Sequence, residues 1–338
     1  MSDDKGKQVV AGKMPATALM ANPATGSGNP ASSLPLLWAY VKPALDHIMR
    51  SPSNDTSKAP SIDATYHMGV HTHVYNYFTT QSSEPPYPYP RDREKRPPVS
   101  GTDLYEEVDK YYTEVAKELF LGAPHDDSTL IHYLIPCFNR YSAGAQSVNR
   151  LLNYVNRHYV KRAVDEDKGW LRLNEMFVDV AKDIREDDTR EKISQKLRDK
   201  KLDELKKWGW EENGSKELLA RAEASAEAAS APDRVVPLSS LAYRRFRIAV
   251  IDPLLAVPKG KHKGKVKKPS AGGDRLPQGP KGRLARAVKE LLESQGVNEE
   301  ERETLIRDMA ACLRLVGIKV DHPLRRKLDR FVAALDSE

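Results

Sequence analysis

His67–Thr80, HMGVHTHVYNYFTT, carries more apolar and aromatic surface than one helix face can bury. Stepped at about 100° per residue, Val70, Val74, Tyr77 and Phe78 fall on one stripe, and His67, Met68, His71 and Tyr75 fall on a second stripe beside it. Together the stripes cover roughly half of the circumference, whereas packing into a single core asks for an arc of about 100°. The spacing therefore predicts a helix with one face in a core and a neighbouring face free for a partner.

Towards the N-terminus, Leu37, Val41, Leu45 and Ile48 step at helical spacing, so Leu36–Arg50 reads as an amphipathic helix. Pro43 lies inside it and is expected to kink it or mark its start, at a cost of about 3 kcal/mol unless packing compensates. Met1–Ser33 is rich in Ala, Gly, Ser, Asn and Pro without periodicity and reads as a disordered tail.

Towards the C-terminus, Gln81–Ser100 contains PPYPYPRDREKRPP, the composition of an exposed insertion loop. A helix follows from Thr102 or Asp103, good cap residues, with Leu104, Val108, Tyr111, Tyr112, Val115 and Leu119 turned inward. Ser128–Arg162 reads as one long helix, interrupted near Pro136. Trp170–Arg185, with Leu173, Met176, Phe177, Val180 and Ile184 at spacings of three and four, reads as a fifth helix closing a bundle.

Beyond it, Thr189–Trp208 is densely charged with a thin apolar stripe, and Glu217–Ser230 is an Ala- and Glu-rich helix with little to bury. Pro237–Leu255 is apolar enough to pack back on the bundle. Lys259–Gly282 has six lysines within Lys259–Lys268 followed by Pro, Gly and Ser, a solvated linker by composition. Gly282–Ala334 holds two amphipathic runs, the second ending at Gly317, then a closing helix through Leu324, Leu328 and Phe331.

HVYNYFTT, preceded by Met68 and Gly69, resembles the second helix of the first cullin repeat, the part of a cullin scaffold that docks an adaptor of an SCF-type ubiquitin ligase. WAYVKPALDHIM (Trp38–Met49), GTDLYEEVDKYYTEVAKEL (Gly101–Leu119) and RYSAGAQSVNRLLNYVNRHYVKR (Arg140–Arg162) resemble other parts of that repeat in the same order. LLESQGVNEEERETLIRDMAACLRLVGI resembles, more faintly, the start of a second repeat. The fold this implies is all-α: a five-helix cullin-repeat bundle at 34–186, a charged helical extension at 187–258, a Lys/Gly/Pro-rich linker at 259–282 and a small helical segment at 283–335.

The resemblance further implies an adaptor-binding face made of His67, Met68, His71 and Tyr75, joined by Tyr154, His158 and Tyr159 near the end of the long helix. The expected partner is an SKP-like adaptor, and through it F-box proteins. His67 and His71 stand where the family has aromatic residues, and the resemblance implies that they either weaken the contact or make it pH-sensitive. A complete cullin is more than twice this length, and its C-terminal half recruits the RING protein. No RING-protein binding is therefore expected of this chain, whether it is a fragment, a degenerate paralogue or a competitor for adaptors.

Over 338 residues, 54 basic and 48 acidic side chains are interspersed, the pattern of solvated helix surfaces rather than of one cationic field. The rival reading is an all-α nuclear protein whose Lys259–Lys268 segment contacts nucleic acid; no aromatic residue interleaves with those lysines, which argues against a base-stacking surface. Two distant cysteines, Cys137 and Cys312, suit a reducing compartment. With no apolar run near 20 residues and no signal segment, a cytoplasmic or nuclear location is expected, without membrane attachment.

Catalytic chemistry finds no support. His67 and His71 stand four apart, a spacing that can bind zinc, but Met68 occupies the place of the zincin glutamate and no third ligand is apparent. The glycines near Gly260 and Gly272 lack the strand and the Lys-Ser/Thr helix start of a phosphate loop. No cofactor, metal or catalytic residue is expected, and the chain reads as a binding scaffold rather than an enzyme.

Overall fold

The computed structural model describes residues 20–23, 28–53, 55–82, 101–185, 188–212, 214–257, 282–294 and 298–337. Among them every regular element is helical, so the all-α expectation holds. The proline-rich loop at 83–100, the lysine-rich linker at 258–281 and most of the N-terminal tail, 1–19 and 24–27, lie outside the described residues.

Part of the expected tail is ordered. Asn29 caps a 3-10 turn, Pro30–Ser32, in which Pro30 and Ala31 are buried. Met20 pairs with Ile62, and the Tyr40 hydroxyl donates to Asn22 Oδ1 at 2.7 Å. A strand-like bridge and one side-chain bond are enough to hold a segment whose composition alone offers little to bury.

α1 (Leu34–Arg50) runs uninterrupted through Pro43, because Leu37, Val41, Ala44, Leu45 and Ile48 on its inner face supply the packing that offsets the missing donor. α2 (Ala64–Ser82) buries Tyr66, Val70, Val74, Tyr77 and Phe78. Gly101, at φ +90°, starts α3 (Thr102–Leu121) directly against α2: a Cβ there would overlap the Phe78 ring, so only glycine fits.

α4 (Asp127–Leu151) also continues through its proline, contrary to the expected break at Pro136. Pro136 is exposed while Leu134, Ile135 and Phe138 beside it are buried, so the ring faces solvent and the buried flanks keep the helix continuous. The interruption comes later, at Leu152 (φ −100°, ψ 26°). The chain then resumes as α5 (Asn153–Val155), a π-helical turn (Asn156–Val160) and α6 (Lys161–Asp165).

The fifth bundle helix is not Trp170–Arg185. Only α7 (Leu173–Ala181) is helical there; it packs on α8 (Arg190–Lys206), buries Val180, and leaves Leu173, Phe177 and Val178 exposed. The slot between α3 and α4 is taken by α10 (Leu238–Phe246), which continues through a π-helical turn (Arg247–Ile251) into α11 (Asp252–Leu255). Phe246 sits 5.1 Å from the Phe138 ring and 5.2 Å from the Tyr141 ring. The Tyr141 hydroxyl donates to the Ala242 carbonyl at 3.0 Å, and Arg245 pairs with Asp109 on α3. A helix that buries Tyr243 and Phe246 and satisfies polar groups on both neighbours outcompetes one of equal length whose single aromatic, Phe177, stays exposed.

Between α8 and α10 lies α9 (Lys216–Ala229), whose small inner residues, Ala222, Ser225, Ala226 and Ala228, admit α10 and α13 at close range. α12 (Arg283–Glu293) and α13 (Glu299–Leu315) pack on α4, and α14 (Pro323–Leu335) packs on α13. Arg283 and Arg286 both hold Asp127 at the start of α4, at 3.2 and 2.7 Å. Buried side chains from Ala31 to Leu328 form one connected core, so residues of 34–186 and those of 283–335 share an interior.

Candidate docking ridge

The π-helical turn is what shapes the ridge. Its first residue, Asn156, donates to Asn149 Oδ1 at 2.8 Å, and both amides accept from the backbone at the start of α10, from Leu238 N at 3.0 Å and Ser239 N at 3.3 Å. A wider turn follows. Across it the Tyr154 and His158 rings lie stacked, with centroids 3.9 Å apart and planes 22° apart.

Tyr154 is the hub. The His71, Tyr75 and Phe78 rings of α2 each meet it edge-on, at 6.1, 5.5 and 5.2 Å, so α2 and the end of the long helical segment are joined by one aromatic cluster. Phe78 is its buried backing, a role the stripe analysis assigned only to the core. His71 and His158 are exposed, Tyr75 is 47% exposed and Tyr154 is half-buried. His67 and Met68 extend the exposed stripe by a turn along α2, Met68 at 61% exposure.

Tyr159 does not belong to this ridge. It is 6% exposed and packs 5.0 Å from the Tyr105 ring. The π-helical turn sends it to the opposite side from His158, into the core, which corrects its expected place on the adaptor-facing surface.

Burial first, and the neighbouring Tyr75 second, push the Tyr154 phenol above its ordinary pKa, so it stays protonated and neutral. His73, one position from the exposed stripe, points inward with its ring edge-on to Tyr40 at 4.9 Å; burial pulls its pKa down and keeps it neutral. From Ala64 to Ser82 there is no Asp, Glu, Lys or Arg. The ridge is therefore an aromatic surface with polar tips, to which α2 contributes no Asp, Glu, Lys or Arg. Among the described residues no group of three or more His, Cys, Asp and Glu side chains is arranged to hold a metal ion. No helix there is long and apolar enough to cross a membrane.

No family model matches the chain, and no solved structure matches it. Two curated relatives do. "Cell division control protein 53" of Saccharomyces cerevisiae is 23% identical over 137 residues, 39% of this chain and 16% of that protein. "Cullin-1" of Dictyostelium discoideum is 25% identical over 104 residues, 30% of this chain and 14% of that protein. The matched stretches thus span less than a fifth of the relatives' own lengths. The chain is an all-α protein with a cullin-like relationship over part of its length.

Proposed function

We propose that this protein is a non-catalytic, cullin-like scaffold that docks an SCF-type, SKP-like adaptor on the ridge of His67, Met68, His71, Tyr75, Tyr154 and His158, and through the adaptor meets F-box proteins in ubiquitin-dependent degradation. The observation that carries the reading is the aromatic cluster centred on Tyr154, which makes two sequence-distant segments one continuous exposed surface. Partial similarity to a protein named Cullin-1 supports the choice of partner. Exposed aromatics backed by a packed ring, here Phe78, have the make-up of an interface hot spot.

The test is capture of a purified SKP-like adaptor by the wild-type chain and by a His71→Ala plus Tyr75→Ala variant. Both positions are exposed, so the variant folds, and adaptor capture is expected to fall by about tenfold or more. Equal capture by the two proteins sinks the proposed face. The rival nucleic-acid reading rests on Lys259–Lys268, outside the described residues, and no structural observation favours it.

A further inference from the structure

The carboxylates of α14 and of the residue after it are already paired within the chain. Asp329 accepts from Arg314 at 2.6 Å and from the buried Arg325 at 3.3 Å, and Asp336, just past the helix, is taken by Arg307. Its outer face is left with Pro323, Arg326, Lys327, Arg330 and Phe331, at i, i+3, i+4, i+7 and i+8, which is a single helical stripe. These five residues line an open groove of about 540 Å³.

Arg326, Lys327 and Arg330 are exposed, and none has an ion-pair partner among the described residues. That sets them apart from the lysines of α8 and the residue after it. There Lys192, Lys196, Lys200, Lys201, Lys206 and Lys207 each stand within 4.0 Å of a carboxylate. Those lysines are neutralised locally, and the three cations of the α14 face are not. The floor beneath the three cations is apolar: Pro323 and the half-buried Phe331, whose ring is covered by the Arg302 guanidinium at 5.7 Å.

We infer that the outer face of α14 is a second docking surface, separate from the ridge, for an acidic segment of a partner protein that also carries an apolar side chain. The three cations span about one helical turn, roughly 6 Å at 1.5 Å per residue, and the stripe from Pro323 to Phe331 about 12 Å, the reach of roughly three to four residues of extended chain. A lone phosphate meets one or two of them and leaves the apolar floor unused. A single-stranded nucleic acid needs free aromatic faces to stack on, and the one aromatic ring here already has a guanidinium over it.

The experiment titrates the full chain into a fluorescein-labelled Asp-Glu-Phe-Asp-Glu peptide and follows anisotropy at low salt. Three exposed charge contacts removed together amount to about a tenfold loss. So Arg326→Gln, Lys327→Gln and Arg330→Gln combined should weaken binding about tenfold, and exchanging the peptide's Phe for Ser should weaken it on the unaltered protein. A charge-matched control, Lys263→Gln, Lys265→Gln and Lys267→Gln, should leave binding unchanged. Unaltered melting of the groove variant excludes misfolding as the cause.

Equal loss in both triple variants reduces the effect to net charge and overturns the inference. So does the absence of peptide binding to the unaltered protein, or an oligothymidine that displaces the peptide from the groove and binds more tightly. Adaptor capture by the groove variant should match wild type, which keeps failure here distinct from failure of the ridge.

Discussion

Tyr154 and Tyr159 lie five residues apart on one helical segment, and their substitutions should separate docking from stability. Tyr159 is packed against Tyr105 inside the core. Tyr159→Ala is expected to cost about 3 kcal/mol in urea unfolding. Tyr154→Ala removes the hub of the ridge, so adaptor capture should fall while stability drops by only about 1 kcal/mol. Reversal of that order would mean that the ridge is a packing feature.

Glu227 gives a pH dependence with a definite sign. Its carboxylate accepts from the Ser240 hydroxyl at 2.6 Å. The fully buried Arg244 nearby instead donates to the Arg234 and Glu227 carbonyls and the Ser230 hydroxyl. Burial raises the Glu227 pKa to about 7, against about 4.3 for an unperturbed glutamate. Between those values the folded state binds more protons than the unfolded state, so stability falls as pH rises through the window. Glu227→Gln should flatten that slope and gain on the order of 2 kcal/mol at pH 8, an amount discounted for the side chain's residual contact with solvent. Thermal unfolding at pH 5 and pH 8 reads it directly.

At the scale of elements, α7 and α10 are two amphipathic helices that suited one slot, and α10 holds it. Phe246→Ala should therefore cost about 4 kcal/mol, while Phe177→Ala, on the exposed face of α7, should stay within about 0.5 kcal/mol of wild type. Chemical denaturation of the pair checks the assignment. Gly317, at φ +73° and against the backbone of Ser225 and Ala229 where α13 ends, fits no side chain. Gly317→Ala is expected to destabilise by about 2 kcal/mol, measured the same way.

Across the whole molecule, one core joins residues of 34–186, 187–258 and 283–335, which the resemblance marks as separate segments. Tyr105 and Tyr141 bond to Val236 and Ala242, and Asn139 reaches Asp308 at 3.0 Å. A chain ending at residue 186 would leave the α3 and α4 faces uncovered. It should show no cooperative unfolding transition, whereas the full chain should melt as one unit for the described helices. An autonomous, cooperatively melting 34–186 fragment would contradict the shared core.

Much of this was legible in the residues. Apolar periodicity is a local property of the chain, so the helices near 36–50, 67–80 and 102–119 and the exposed stripe His67, Met68, His71 and Tyr75 could be read directly from spacing. Neither a helix start at Pro43 nor a break at Pro136 occurs, because proline's penalty is local while the compensating burial is not. The ridge was half legible: α2 announced a spare face, but nothing in NRHYV signals a π-helical turn that turns His158 out and Tyr159 in. That turn depends on Asn149 and Asn156 bonding to Leu238 and Ser239, about 80 to 90 residues away.

By itself, then, the sequence determined that the protein is helical, which faces of its regular helices are apolar and where one of them carries a surplus. Only the tertiary structure decided which segment closes the bundle, how the surplus face meets the end of the long helix, and that the interior is one. The physical reason is range. Side-chain spacing constrains a helix through its own backbone, whereas the choice between rival helices for one groove is settled by burial and hydrogen bonds that partners distant in the chain alone supply.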